Sequence, residues 1–123
     1  MNQAPLESSL GALMARYPGV RGCALVDAAS GLVWHRHPDA DASGLWEAAV
    51  DHWRLQQRLS SHFGELGPVQ AIVLHHSDLK LTLLPCLRDP DVLLVCLAEH
   101  DNVDWAGWQR DTRQLAGRLR AAL

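Results

Sequence analysis

Two short runs, Cys23-Ala24-Leu25-Val26 and Val92-Leu93-Leu94-Val95-Cys96-Leu97, are apolar at every consecutive position, and they restrict the fold more than any other part of the chain. Neighbouring side chains of a strand point to opposite faces, so a strand that is apolar throughout must be covered on both sides. Both runs therefore belong in the centre of a sheet with helices above and below. The chain has 123 residues and is 48% hydrophobic, enough for one domain, residues 1–123, to bury a core of its own.

The remaining elements follow from periodicity and punctuation. Leu6, Leu10, Leu13, Met14 and Tyr17 recur at intervals of three and four, the stripe of a helix that Pro18 and Gly19 end. Cys23 to Val26, the turn Asp27 to Gly31, and Leu32 to His37 form a β-hairpin. Ser43 is the expected N-cap of a long helix from about Leu45 to Phe63, closed by Gly64 and Gly67-Pro68. Three strands follow, Val69 to His75, Leu79 to Leu87 and Val92 to Ala98, joined by the short turns His76-Ser77-Asp78 and Arg88-Asp89-Pro90-Asp91. Trp105, Trp108, Thr112, Leu115, Leu119 and Leu123 mark a last helix capped by Asn102 or Asp104. Leu79, Leu81 and Leu83 alternate with Lys80 and Thr82, and the Trp34 strand ends in His35-Arg36-His37, so both of these strands are expected to have a wetter face. The fold class is thus α/β, a three-layer α/β/α sandwich of topology αββαβββα. Its five-stranded, mainly antiparallel sheet takes the order 2-1-5-4-3.

The middle helix is apolar over more than the roughly 100° that docking on one sheet requires. One face carries Leu45, Ala48, Leu55, Leu59 and Phe63. A second, turned by about a quarter circle, carries Trp46, Val50 and Trp53, while Glu47, Asp51, Arg54, Arg58 and Ser61 form the solvated wedge. With the first face on the sheet, the tryptophans of the second meet a partner, lie under a loop such as Asp39 to Ser43, or stay exposed, and a partner is the expected outcome. The strand Val69-Gln70-Ala71-Ile72-Val73-Leu74 has no charge and no internal proline, so at a sheet edge it lacks the usual protection against edge-to-edge pairing. A two-fold axis through that edge would bring the two long helices together as well. The expected dimer interface is Trp46, Ala49, Val50, Trp53 and Gln57 with Val69, Ala71, Ile72, Val73 and Leu74. Trp53→Asp is the discriminating substitution: it leaves a folded monomer if Trp53 lies between subunits and an unfolded chain if Trp53 lies in the core.

Tyr17-Pro18-Gly19-Val20-Arg21-Gly22, then Ala24-Leu25-Val26-Asp27 and Gly31-Leu32-Val33, resemble the opening of a Roadblock domain, the family of the dynein light-chain relatives. The long middle helix, the meander ending in Asp91-Val92-Leu93-Leu94-Val95, and Asn102 before the last helix agree in order and spacing, so the resemblance covers nearly the whole chain. It implies a five-stranded sheet with two helices on one side and one on the other. It also implies dimerisation through the middle helix and the following strand, and regulation or scaffolding of small Ras-like GTPases. Asp104, where relatives often carry a small residue, and the tryptophan-rich helices with Trp105 and Trp108 depart from the pattern.

A net charge of −3 with charges spread along the chain gives no basic field for a nucleic acid. Met1 to Ser9 carry neither a positive nor an apolar leader region, and no apolar run approaches the ~18 residues of a membrane span. A soluble, cytoplasmic protein without a membrane partner is expected. No G-x-x-x-x-G-K-[ST], C-x-x-C, H-E-x-x-H or G-x-S-x-G motif occurs, so neither catalysis nor a cofactor is expected. Cys23, Cys86 and Cys96 sit in strand-like runs and read as buried free thiols. Among the seven histidines, His35 with His37 and His75 with His76 would converge on Zn²⁺ if their strand ends met, although exposed strand-end polar residues are the simpler reading. Asp78, Asp89, Asp91, Glu99 and Asp101 read as turn residues. Arg110, Arg113, Arg118 and Arg120, interleaved with Asp111, read as a wet helix face, with a docking patch for an acidic partner as the alternative. The expected function is that of a non-enzymatic homodimeric scaffold or regulator of a small Ras-like GTPase. The rivals are a small-ligand sensor and, more remotely, a zinc enzyme built on the histidines.

Overall fold

The computed structural model describes residues 3–37, 44–88 and 91–122. In chain order the elements are α1 (Gln3–Ala15), β1 (Val20–Asp27), β2 (Val33–His37), α2 (Leu45–Arg58), α3 (Ser60–Phe63), a 3-10 turn (Gly64–Leu66), β3 (Ile72–His75), β4 (Lys80–Leu87), β5 (Val92–Ala98) and α4 (Trp105–Ala122). The strands form one antiparallel sheet of order β2-β1-β5-β4-β3. The two uniformly apolar runs lie side by side in it, with Cys23 opposite Cys96 and Leu25 opposite Leu94.

Alternation along these strands divides the interior into two cores. Cys23, Leu25, Leu84, Cys86, Leu94 and Cys96 face α1 and α4, which contribute Leu10, Leu13, Trp108, Leu115 and Leu119, with Tyr17 from just after α1. Ala24, Val26, Leu81, Leu83, Leu93 and Val95 face α2. One side of the sheet therefore carries two helices and the other only α2.

Three local expectations change. The long helix breaks at Leu59, and α3 and the 3-10 turn continue it in a new direction. The residue in the cap position of α2 is Gly44, at φ 79° and without a side-chain cap, while Ser43 lies outside the described residues, as do Asp39 to Asp41 and the Asp89-Pro90 turn. The wetter face of β4 is dry: Thr82 is fully buried and Lys80 nearly so, because Lys80 lays its ammonium over the Trp105 ring, 5.2 Å from the centroid. The cap of α4 is Asp104, whose Oδ1 accepts from Gly107 N–H at 3.1 Å. Asn102 instead donates to Glu99.

A polar clasp ties α1 to α4. Tyr17 donates its hydroxyl to Asp111 Oδ2 at 2.5 Å, Arg16 donates to the same oxygen at 3.3 Å, and Arg110 reaches Oδ1 at 3.4 Å. Gly107 makes room for it, since a Cβ there would stand 2.9 Å from the Tyr17 hydroxyl. The Tyr17 bond, helped by the two arginines against some loss of solvation, holds the Asp111 carboxyl below its ordinary 3.8. A carboxylate with a depressed folded pKa contributes stability above its unfolded value and loses that contribution as pH falls through the folded one. Asp111→Asn is thus expected to lower the denaturant midpoint at neutral pH. The gap to wild type should close in acid below 3.8, which unfolding curves at the two pH values measure.

Candidate self-association interface

The placement of α2 decides what the chain presents to solvent. Arg54 Nε donates to the Ala28 carbonyl at 3.1 Å and Nη2 to Ala29 at 3.3 Å, stapling the helix to the β1–β2 turn. Trp46, Ala49, Val50 and Trp53 then point into the sheet, with both tryptophans only 4% exposed and Val50 fully buried. This reverses the expected faces: the tryptophan face is the core face, and the leucine face is the outer one. The spacing carried the signal. Trp46, Ala49, Val50 and Trp53 occupy i, i+3, i+4 and i+7 without a gap, whereas the run from Leu45 and Ala48 is interrupted at i+7 by His52.

The outer face is apolar and poorly covered. Leu55 is 44% and Phe63 52% exposed, and Leu45 and Leu59 are half-buried. On the side away from the Arg54 staple, a groove of about 560 Å³ runs between α2 and the sheet. Leu79, Leu81 and Leu97 form its floor, Leu45 and Ala48 its wall, and His52, His76 and Asp78 its rim. A separate recess of about 230 Å³ is lined by Trp53, Gln57, Phe63, Pro68, Val69 and Arg88.

That groove leads to the sheet edge. β3 pairs with β4 from Ile72 opposite Leu83 to His75 opposite Lys80, and among the described residues its other side has no strand. Val69, Ile72 and Leu74 lean on the α2 core, Ala71 leans on the opposite core, and Val73 is 38% exposed. Gln57, Val69, Ala71, Ile72, Val73 and Leu74 therefore lie on or beside the open edge, while Trp46, Ala49, Val50 and Trp53 belong to the interior. Leu45, Ala48, Leu55 and Phe63 are the residues that sequence reasoning missed, because it assigned their face to the sheet.

The chemically suggestive side chains do not gather here. His75 Nδ1 lies 3.3 Å from His100 Nδ1 with the rings stacked, a pairing across strand ends rather than one with His76 or with the His35-His37 strand. Among the described residues no three His, Cys, Asp or Glu side chains converge as a metal site would need. The cysteines are free and buried, and burial pushes the Cys86 thiol up to about 12. No helix among the described residues is long and apolar enough to cross a membrane.

No protein-family model and no curated protein matches the sequence. Solved structures do. A Roadblock/LC7 domain from Streptomyces avermitilis superposes with a TM-score of 0.77 at 21% identity, over 91% of this chain and 92% of that one. MglB of Myxococcus xanthus gives 0.74 at 14% identity over the full length of both, and MglB with a tetrameric arrangement gives 0.71 at 20% over 100% and 96%. The chain has the Roadblock fold. At these identities the likeness is one of backbone architecture, and within it the Roadblock middle helix and third strand are the elements that here carry the open apolar surface.

The corrected placement changes what substitutions do. Trp53→Ala should cost about 3–5 kcal/mol of stability, as for other buried aromatic truncations, and Trp53→Asp should leave an unfolded chain instead of a folded monomer. Leu55→Ala, on the outer face, should cost a single subunit far less. Urea titrations at low protein concentration followed by circular dichroism order the three.

Proposed function

We propose that this Roadblock-fold chain works as a homodimer, joined β3 to β3 with the two α2 helices side by side, and that the dimer is a non-enzymatic cytoplasmic scaffold or regulator of a small Ras-like GTPase. The observation that carries the dimer is the open strip formed by Leu55, Phe63, the 560 Å³ groove and the free β3 edge. A second α2 set into the groove would cover its leucine floor, and a second β3 would satisfy the edge amides and carbonyls. Both needs are met by one two-fold axis. The structure of MglB with a tetrameric arrangement lends support, as a protein of the same fold that self-associates.

The GTPase partner is supported by the sequence resemblance around Tyr17 to Asp27 together with the shared fold. The chain contains no phosphate-binding loop of its own, so in this reading it acts on a nucleotide switch built by another protein. The same groove favours a second reading, because its volume lies within the range of about 300–1,000 Å³ typical of small-ligand sites and its floor is apolar with a polar rim. In that case the chain would be a monomeric sensor.

Oligomeric state separates the two. Wild type should run as a dimer in light scattering coupled to size exclusion at micromolar concentrations. Ala48→Glu combined with Val73→Lys, both at exposed positions, should give a folded monomer. Each substitution replaces apolar contact by a charge that meets its own copy across the axis. The folded monomer should also lose a GTPase that the wild-type dimer retains in a pull-down. A wild-type monomer would remove the dimer and leave the sensor.

A further inference from the structure

On the opposite side of the sheet from α2, a recess of about 230 Å³ lies between the C-terminal half of α4 and the end of β4. Arg113 and Arg120 line it from α4. Seven residues apart, they stand on the same side of the helix, two turns and about 10 Å from each other. Arg88, which follows the last residue of β4, lines the same recess, and Gln70, just before β3, adds a neutral amide.

Arg16 and Arg110 hold Asp111, Arg21 holds Glu99 and Arg54 holds Asp51. Arg88, Arg113 and Arg120 hold no carboxylate among the described residues, although acidic residues outnumber basic ones, 14 to 11. Arg58 and Arg118 also pair with no carboxylate among the described residues, but Arg88, Arg113 and Arg120 share one recess. The three side chains are exposed, so water and salt screen much of their mutual repulsion. The floor beneath them is apolar, made by Pro85, the buried Cys86 and the buried Ala116. Three cations that converge on one such hollow favour an anion in it.

Guanidinium groups are planar forks matched to oxyanions with at least two free oxygens. The volume is below the roughly 300 Å³ at which drug-sized sites begin, room for one phosphate group and a short organic tail on the apolar floor. We propose that the recess is a binding site for a phosphate monoester, held by Arg113, Arg88 and Arg120 with Gln70 as an additional donor. The carbonyl end of α4 opposes an anion next to Arg120, so Arg113 and Arg88 make the larger contributions. All four residues belong to one subunit, with Gln70 beside the β3 edge and Arg88 also lining the recess at Trp53 and Val69.

Phenyl phosphate titrated into the isotope-labelled full chain in chloride buffer, followed by amide chemical shifts, tests the assignment. Saturable shifts are expected at Gln70, Arg88, Arg113 and Arg120, with a rise in melting temperature. Arg113→Gln with Arg88→Gln should weaken binding about tenfold or more, the value of one or two charge-assisted hydrogen bonds, while the variant melts like wild type in phosphate-free buffer. Arg113→Lys should retain part of the affinity, since charge is kept and the fork is lost. Phenol should produce none of these shifts. Shifts that do not saturate, or that persist in the double variant, would overturn the site. So would a Glu-rich peptide that binds the same residues more tightly than phenyl phosphate, because the recess would then be part of a protein-docking surface.

Discussion

Five strands spaced by about 4.8 Å make a sheet roughly 19 Å wide, and a helix with its side chains is about 10 Å across. Two helices can roof such a sheet and one cannot. α1 and α4 together close one side, on which Leu10, Cys23, Leu25, Leu94 and Trp108 have no exposure. On the other side α2 is alone, and Arg54 draws it towards the β1–β2 turn, so the shortfall falls over β4 and β3. The groove above Leu79, Leu81 and Leu97 is the consequence of that mismatch in width, and it adjoins exposed Leu55 and the side of β3 that has no strand among the described residues. The layer asymmetry is thus both a structural deficit of the single chain and the source of the surface to which a function can be attached.

The tryptophans acquire a different meaning in this frame. Trp46 and Trp53 are large enough to carry the contact from α2 down to Ala24, Val26, Leu93 and Val95, small and medium side chains that leave depth for them. Placing the bulk inside leaves the leucine-bearing side of the helix outside. A helix that is apolar on two adjacent faces thus serves two tasks, the wider side chains fixing it to its own sheet and the narrower ones remaining outside.

Much of the architecture was legible in the sequence. Consecutive apolar residues at Cys23 to Val26 and Val92 to Leu97 placed β1 and β5 in the centre, and the edge position of the Ile72 strand followed from its place in the meander. What was not legible depended on contacts distant in the chain. Lys80 and Thr82 look like the wet face of β4, and the packing of α4 along that strand, with Trp105 against Lys80, makes the face dry. The orientation of α2 was misjudged because two adjacent apolar faces compete, and the tie is broken by His52 in one of them and by the Arg54 staple, which joins residues 25 and 26 positions apart. The arginine recess depends on Arg88 and Gln70 meeting α4, a juxtaposition that no helical wheel of the last helix contains.

Amide hydrogen exchange read residue by residue over a range of protein concentrations tests most directly whether a second copy of the chain covers the β3 edge and the outer face of α2. If it does, those amides of Ile72 to His75 that do not pair with β4 are protected at high concentration and exchange freely on dilution, while the amides of β1 and β5 stay protected throughout. Edge amides that exchange equally fast at every concentration would contradict that placement.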